Sequence, residues 1–572
     1  MVWGEIGPIW ADWTNLEGFA YNPVMRKLFL LFGLVFLAAC GGGAAATAVP
    51  NLPAPTATPV PATAVPTAEA APTNEAPTAV PAGITINLSD SFQPFDPRLL
   101  GTNLPAWLGS GRTGDDAFIN RAVAAETSLV RIPGGSWSNA YDWSACEMDN
   151  VCPWDWGVLT PTDFLNFVNA TGMKAVYIVN PNGTAQEAAA LVAFYNGAPD
   201  DTRVIGADIR GRDWGTVGQW AQLRADHGNP EPLGITYWEF GNEVYAGQAG
   251  TDCVSWGWEE VWTCDGREYV QGSGSGADRH EGYLEFREAM RAVDPTIKLG
   301  AVGVPVQSDW SNWGNEVIAE AGEALDFYVI HQYAYFEPPG SYVEALAQPQ
   351  AAWRPMMAGI QAALDQFGDG RRPPIAVTEY NLFAQQDQDN GQWLTRAVNM
   401  LFMADTIGQM ATQGISIANQ WDLANGLAGN GTDYGLLNAD TRARYPQYYV
   451  FPLWAQFGSR LLPTTTTFAA DSTLSAYGGM VNDGRFTLLA INKTGDPITT
   501  DVLINGGPDG FSRGLADVAA APSLDSQTVT FNGVSDPADD LSDAPPTDLG
   551  ALGNPFSYTF APYSVTLLRL EP

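Results

Sequence analysis

The chain has 572 residues, of which 45% are hydrophobic and 20 are tryptophans, so it is long enough to bury several cores. It carries 63 acidic residues against 27 basic ones, and the formal charge of -36 repels phosphate backbones and anionic lipid head groups. The composition therefore disfavours nucleic acid as a partner. It is typical of a globular protein with an acidic surface.

Residues 25–40, MRKLFLLFGLVFLAAC, have the pattern of an export signal, because Arg26 and Lys27 precede an apolar run that ends at Cys40. The run is shorter than the ~20 residues that span a bilayer. Its LAAC ending resembles a bacterial lipobox, which implies cleavage before Cys40 and a lipid on its sulfur. We therefore expect an exported protein, lipid-anchored at the bacterial cell surface or envelope. An ordinary secretory signal with an incidental cysteine is the alternative, and residues 1–24 are interpreted as an upstream mis-start.

Residues 41–82 consist largely of Pro, Ala and Thr, which predicts an extended linker rather than a core. The four cysteines beyond it form two local pairs, and in an exported chain they are expected to be disulfides. Three connectivities are open, of which the short loops favour Cys146 with Cys152 and Cys253 with Cys264. A zinc site is disfavoured because no histidine flanks these cysteines at ligand spacing. No metal is expected.

Short apolar runs alternate with amphipathic helical stretches over residues 83–454, which is typical of parallel strands covered by helices. Eight such units predict an α/β fold of the (β/α)8 TIM-barrel type. A doubly wound sheet is the alternative, but no Gly-rich phosphate loop follows an early strand, so no nucleotide cofactor is expected. The eight runs begin at Gly101, Ser128, Lys174, Ile235, Lys298, Leu325, Pro374 and Gly414.

From residue 455 to residue 572 the pattern changes to short alternating segments with turn signals, which predicts a C-terminal β-sandwich domain. Asn482-Asp483-Gly484 between two apolar runs is a hairpin signal. Residues 83–98 include GITINL, which is expected to add a strand to this sandwich. Its expected role is to support the barrel, with sugar binding as the alternative.

Side chains at the carboxyl ends of barrel strands converge on one face, where barrel enzymes carry their active sites. Two of these residues are glutamates, Glu243 on the fourth strand and Glu379 on the seventh. They are expected to face each other across a substrate. The other polar or aromatic residues at the strand ends are Arg131, Asn180, Asn242, His331, Tyr333, Gln420 and Trp421.

Two facing carboxyl groups are the usual catalytic pair of glycoside hydrolases. The departing oxygen needs a proton, and the anomeric carbon needs an anionic nucleophile or an activated water. One glutamate must stay protonated and the other ionised. In this interpretation Asn242 bonds the sugar 2-hydroxyl, Tyr333 orients the ionised glutamate and Arg131 holds it charged. The expected substrate is a carbohydrate.

WEFGNE followed by VTEYN resembles the clan of barrel glycosidases, clan A, in which the acid/base follows Asn on strand four and the nucleophile ends strand seven. Together with RIPGG, NGTAQEAAALVAFYNG, HGNPEPLGITYWEFGNEVY, VDPTIKL and HQY, it resembles family 51 of the glycoside hydrolases, the α-L-arabinofuranosidases. The similarity covers roughly residues 100–460, and the closing APYSVTLLRL is similar to that family's sandwich. The resemblance implies a retaining enzyme with Glu243 as acid/base, Glu379 as nucleophile and no cofactor.

Three positions depart from that family. Ser136 stands where it usually has Asn after the two glycines of strand two, Asn103 stands near the place of a sugar-gripping glutamate on strand one, and strand eight reads NQWDL. An endo-acting xylanase or glucanase of the same clan therefore stays an alternative. So does a non-catalytic carbohydrate-binding lipoprotein, which would need neither glutamate.

Several aromatic and polar residues admit both a structural and a functional interpretation. His331 is interpreted as a substrate contact or a core histidine, and the acidic segments DQDNGQ and Glu259-Glu260 as solvated loop rather than calcium sites. The tryptophans that could stack on sugar faces are Trp137, Trp154, Trp156 and Trp421.

Overall fold

The computed structural model of the protein describes residues 83–89, 91–149, 151–152, 157–247 and 259–572. Several predicted features lie outside these ranges: the signal at residues 25–40 with Cys40, the linker, Cys253, Trp154 and Trp156. Within them, no helix combines the length and the apolar character that crossing a bilayer would require.

Eight parallel strands close into a barrel, and each pairs with its neighbours in chain order until the eighth pairs with the first through Gln420 and Thr102. Most of their residues are apolar and buried, as expected for strands that are covered on both faces. The predicted (β/α)8 barrel is confirmed. Its strands are Gly101–Asn103, Leu129–Ile132, Lys174–Val179, Tyr237–Phe240, Lys298–Val302, Phe327–Tyr335, Ile375–Phe383 and Ile417–Gln420.

Helices surround the barrel, and their ends follow local sequence signals. Pro161–Thr171 begins at a capping box formed by Thr160 and Asp163 and ends at Gly172 in the left-handed conformation. The α-helices of the described chain are Ser110–Thr113, Asp116–Ala124, Trp143–Asp149, Pro161–Thr171, Ala185–Asn196, Val217–Asp226, Gly266–Gln271, Tyr283–Val293, Asp309–Ala321, Tyr342–Phe367, Ala397–Thr412 and Val450–Ala455. Its 3-10 helices are Pro97–Leu99, Ala106–Leu108, Ser136–Ala140, Gly276–Asp278, Gly322–Ala324, Gln386–Gln388, Trp393–Thr395 and Pro446–Tyr449.

Two further sheets form the predicted sandwich and enclose a separate apolar core that includes Ile86, Leu488, Ile504 and Leu568. The four-stranded sheet has the order Thr464–Thr466, Ile84–Asn87, Ile498–Asn505, Phe556–Phe560. The nine-stranded sheet has the order Val534–Ser535, Thr530–Phe531, Gly510–Ala520, Ser564–Glu571, Phe486–Asn492, Leu474–Met480, Arg460–Leu462, Gln93–Pro94, with Thr547–Gly553 also paired to Gly510–Ala520.

Residues from both ends of the described chain meet in this sandwich. Ile84–Asn87 runs parallel to Ile498–Asn505 and antiparallel to Thr464–Thr466, so the segment before the barrel contributes a strand to the later domain. Leu474–Met480 and Phe486–Asn492 form an antiparallel hairpin around Asn482-Asp483-Gly484. The sandwich is thereby fixed to both ends of the barrel sequence.

Cys146 and Cys152 form a disulfide beside the second barrel strand's loop, as the sequence predicts. Cys264 is also disulfide-bonded.

Candidate active site

The carboxyl ends of the barrel strands surround a cavity of about 620 Å³. The structure brings most of the residues predicted from the strand ends to its wall. Those that line it are Asn242, Glu243, His331, Tyr333, Glu379 and Trp421.

Glu243 and Glu379 face each other across this cavity. One carboxylate oxygen of each, together with Nδ1 of His331, lies within 4.8 Å of the others. Their side chains are 13% and 7% exposed, so both open to the cavity while most of each is shielded from water. Carboxyl groups about 5–5.5 Å apart suit direct nucleophilic attack, whereas a water-mediated inverting reaction needs about 6.5–9.5 Å. The close approach of these two oxygens fits a double displacement better than an inverting reaction.

Arg131 lies beneath Glu379 and is fully buried. Its Nη1 donates to Glu379 Oε1 at 2.8 Å, and its Nε donates to Glu239 Oε2 at 2.8 Å. Burial alone would lower the pKa of the guanidinium, but the two carboxylates outweigh it and raise that pKa. Arg131 is therefore a permanent cation next to Glu379.

Arg131 also organises the amides around the pair. Its Nη1 donates to Asn103 Oδ1 at 3.0 Å and its Nη2 donates to Asn242 Oδ1 at 2.9 Å. The same Nη2 lies 3.4 Å from Nε2 of His331. One guanidinium thus contacts residues of the first, fourth, sixth and seventh strands.

Tyr333 and His331 complete the surroundings of the two glutamates. Tyr333 donates its hydroxyl hydrogen to Glu379 Oε2 at 2.8 Å, and burial followed by the charge of Glu379 raises the pKa of this tyrosine well above its ordinary value. Nδ1 of His331 lies 2.9 Å from Glu243 Oε1 and 3.6 Å from Glu379 Oε2. Glu379 therefore receives a hydrogen bond on each oxygen, from the guanidinium of Arg131 on Oε1 and from the phenol of Tyr333 on Oε2.

Glu243 sits on a tight turn just past the end of strand four, with φ at 39°. Asn139 holds this turn from the side: its Oδ1 accepts from the backbone N of Asn242 at 2.9 Å, and its Nδ2 donates to the carbonyl of Asn242 at 2.7 Å. A left-handed conformation is unfavourable for a side chain of this kind, so the surrounding bonds must hold it in place. The turn aims Glu243 into the cavity.

Trp421 forms part of the opposite wall and is 7% exposed. A Cβ on Gly135 would lie 2.5 Å from Cη2 of Trp421, and Gly135 has φ at 63°, so only glycine allows this approach. The second glycine of RIPGG is thus explained by the indole that packs against it. Trp107 contacts this indole and the ring of Trp137.

Three of the residues predicted at the strand ends do not line the cavity, namely Arg131, Asn180 and Gln420. Arg131 is buried beneath it and acts on Glu379 rather than on a ligand. Asn180 ends the third strand, but its Oδ1 accepts from the backbone N of Asn182 at 2.9 Å, which turns the side chain into the loop. Asn103 likewise is buried and donates to the carbonyls of Thr378 and Gln420.

The segments DQDNGQ and Glu259-Glu260 are interpreted from the sequence as solvated loops, and this interpretation is wrong for one residue of each. Asp389, in DQDNGQ, is fully buried and accepts from the backbone nitrogens of Trp393 and Leu394. Glu259 is fully buried beside the active site, where Ser136 and Asn242 donate to it. A loop that folds back into the barrel mouth leaves no periodic signal in the sequence, so neither burial could be read from pattern.

Glu239 is another buried carboxylate that the motif analysis did not single out. The signal was present, because an acidic residue between Trp238 and Phe240 in a buried strand must point into the barrel interior and find a cation there. That cation is Arg131.

Glu243, His331 and Glu379 also form a group, within the described ranges, whose ligand atoms are close enough to hold a metal ion. Arg131 already supplies positive charge against Glu379 at 2.8 Å and stands 3.4 Å from His331. The donor set therefore does not require a metal to balance its charge.

Residues 123–345 match the family model of the α-L-arabinofuranosidase 1 domain. A probable α-L-arabinofuranosidase C from Aspergillus clavatus is 25% identical over 285 residues, which are 45% of this chain and 48% of that protein. The chain thus spans about half the length of the curated relatives that it matches.

Among solved structures, a family 51 α-L-arabinofuranosidase from Thermotoga petrophila is similar with a TM-score of 0.64 at 18% identity, covering 86% of this chain and 100% of that one. The chain is most like family 51 of the clan A barrel glycoside hydrolases. A family 44 endoglucanase from Clostridium thermocellum has a TM-score of 0.55 at 15% identity, covering 86% of this chain and 99% of that one. The likeness to the family 51 structure extends over both the barrel and the sandwich.

Replacing Arg131 with methionine tests the charge balance of the site. The substitution leaves Glu239 and Glu379 buried without their cation, and we expect it to reduce the free energy of unfolding by about 3–5 kcal/mol. Urea unfolding followed by tryptophan fluorescence measures this loss.

The matched control is Arg513→Met, which breaks an ion pair with Asp548 in which both side chains are about half exposed. This variant is expected to unfold at the wild-type midpoint. Equal stability of Arg131→Met and wild type would contradict the role of Arg131.

Proposed function

We propose that the protein is a retaining glycoside hydrolase that removes α-L-arabinofuranosyl units from an extracellular polysaccharide. The observation that carries the proposal is the spacing of Glu243 and Glu379, whose oxygens lie within 4.8 Å across one cavity. A protein that only binds sugar needs no such pair. The likeness to family 51 supports the choice of sugar.

The two glutamates take different roles because their partners differ. Glu379, bonded to Arg131 and Tyr333, is the anionic nucleophile that attacks the anomeric carbon. Glu243, whose Oε1 lies 2.9 Å from Nδ1 of His331, protonates the departing oxygen and then activates water for the second step. Asn242 lines the cavity next to Glu243, in position to bond the sugar 2-hydroxyl.

Alanine substitution of each glutamate tests these roles on nitrophenyl α-L-arabinofuranoside. We expect Glu243→Ala to lower kcat/KM by about 10²- to 10⁴-fold, the usual contribution of an acid/base, and Glu379→Ala to lower it at least as much. Azide restores turnover to Glu379→Ala and yields a glycosyl azide of inverted configuration, because the small anion fills the place of the lost carboxylate.

The control for both variants is Glu323→Ala, since the Glu323 side chain is 89% exposed on the 3-10 helix Gly322–Ala324. It should retain wild-type turnover. Full activity in Glu243→Ala or Glu379→Ala would refute the mechanism.

A second candidate is endo-acting hydrolysis of xylan or glucan, which the volume of the cavity and its aromatic lining favour. At about 620 Å³ it falls in the range of pockets that enclose drug-sized ligands, ~300–1,000 Å³, which leaves room for more than one sugar ring. Its wall includes Trp107, Trp137, Trp310 and Phe336, and Phe336 is 61% exposed at the mouth. Flat aromatic faces of this kind pack against sugar rings.

Product analysis separates the two candidates. The protein is incubated separately with arabinoxylan and with xyloglucan. Free arabinose is expected as the first product from arabinoxylan. Oligosaccharides as first products, with no free arabinose, would replace the arabinofuranosidase assignment by the endo-acting one.

We also propose that the protein is exported and anchored through a lipid on Cys40, which the signal-like residues 25–40 support. In cells that express the gene, Cys40→Ala is expected to move the protein from the detergent phase to the aqueous phase of a Triton X-114 partition. A wild-type protein found in the aqueous phase would contradict the anchor.

A further inference from the structure

Glu259 reaches the active site from the segment that follows strand four rather than from a strand end. Its backbone N donates to the carbonyl of Ala246 at 3.2 Å, and it bridges to Gly247, so the chain returns beside the turn that carries Glu243. The Glu259 side chain is fully buried, whereas its neighbour Glu260 is exposed. A buried carboxyl in a loop is costly unless it is bonded or used.

Three side chains donate to Glu259. Ser136 Oγ lies 2.6 Å from Oε1, Asn242 Nδ2 lies 3.0 Å from Oε1, and Asn139 Nδ2 lies 2.6 Å from Oε2. Asn139 is the same residue that bonds both the backbone N and the carbonyl of Asn242. Glu259, Asn139 and Asn242 therefore form a closed set of hydrogen bonds at the base of the Glu243 turn.

The amide of Asn242 is consequently fixed at both ends. Its Oδ1 accepts from Arg131 Nη2 at 2.9 Å, and one hydrogen of its Nδ2 goes to Glu259. The second Nδ2 hydrogen is left for the cavity, which Asn242 lines. Without an acceptor in the place of Glu259, the amide could rotate and the turn that holds Glu243 would lose one of its supports.

The charged groups around Glu259 are carboxyls. Burial, followed by the charge of Glu243 and more weakly that of Glu379, raises its pKa well above the ordinary glutamate value. Within the described residues, the hydrogen bonds of Glu259 connect it to one cation: Asn242 bonds Glu259 through its Nδ2 and Arg131 through its Oδ1. His331 and Tyr245 contact Glu243, and the charge of Glu259 also acts on Tyr245.

We propose that Glu259 is a positioning residue for the acid/base: its hydrogen bonds hold Asn242 and the adjoining turn, so that Glu243 presents its proton to the departing sugar oxygen. This role rests on the proposed function. Ser136, which stands where the resembled family usually has Asn, donates to Glu259 and is part of the same device.

Comparing two substrates with different leaving groups shows whether Glu259 positions the acid Glu243 or only supports the fold. The methoxy group of a methyl glycoside leaves only when its oxygen is protonated. The 2,4-dinitrophenolate of the aryl glycoside leaves without protonation. A misplaced Glu243 therefore slows the first substrate and spares the second. A general disturbance of the site slows both equally.

The experiment compares Glu259→Gln with Glu260→Gln on methyl and 2,4-dinitrophenyl α-L-arabinofuranoside. We expect Glu259→Gln to lower kcat/KM on the methyl glycoside by about 10- to 100-fold and on the dinitrophenyl glycoside by less than about 3-fold. Glu260→Gln, one position away and exposed, should match wild type on both.

Ser136→Ala removes one of the three donors and provides a milder variant in case Glu259→Gln does not fold. It should show the same difference between the two substrates at smaller amplitude. Equal losses on both substrates, or no loss on either, would overturn the role of Glu259 while leaving the proposed function intact. If the wild-type protein hydrolysed none of the tested glycosides, both the role of Glu259 and the proposed function would be overturned.

Discussion

The buried guanidinium of Arg131 is the interaction on which the site depends. It bonds Glu239 inside the barrel, Glu379 at the cavity and the side-chain oxygens of Asn103 and Asn242. A cation removed from water is tolerated only when its hydrogen bonds are satisfied by partners of opposite charge or polarity. Strand two contributes this cation, and four other strands contribute its partners or contacts, so the site depends on the closed barrel.

Charge explains why two chemically identical side chains can act differently. Three buried carboxyls, Glu239, Glu259 and Glu379, and the partly exposed Glu243 lie around this guanidinium. They cannot all be ionised at little cost in a medium of low polarity. Glu379 bonds the cation directly, whereas Glu243 lies 2.9 Å from Nδ1 of His331. The proposed nucleophile and the proposed acid/base are thus distinguished by their partners.

Much of the fold could be predicted from the sequence because each barrel strand is a short apolar run with helices around it. The predicted runs at Gly101, Lys174 and Lys298 begin at the first residue of an observed strand, and the remaining five begin within three residues of one. The glutamate pair followed from the same reasoning, since polar residues that end parallel strands share one face of a barrel.

Contacts that depend on loops could not be derived in this way. Glu259 lies well past the end of its strand, and its burial depends on the path of a returning loop. Asn180 ends a strand as predicted, yet a turn captures its side chain. Arg131 was expected near the nucleophile, but only the structure shows that it lies under the cavity and pairs with a second carboxylate inside the barrel.

The configuration of the first sugar released tests the central claim most directly. If Glu379, held by Arg131, attacks the anomeric carbon, then proton NMR of the reaction with an aryl α-L-arabinofuranoside will show the α-anomer of arabinose before mutarotation. First appearance of the β-anomer would mean that water attacks directly, and Glu379 would not be the nucleophile.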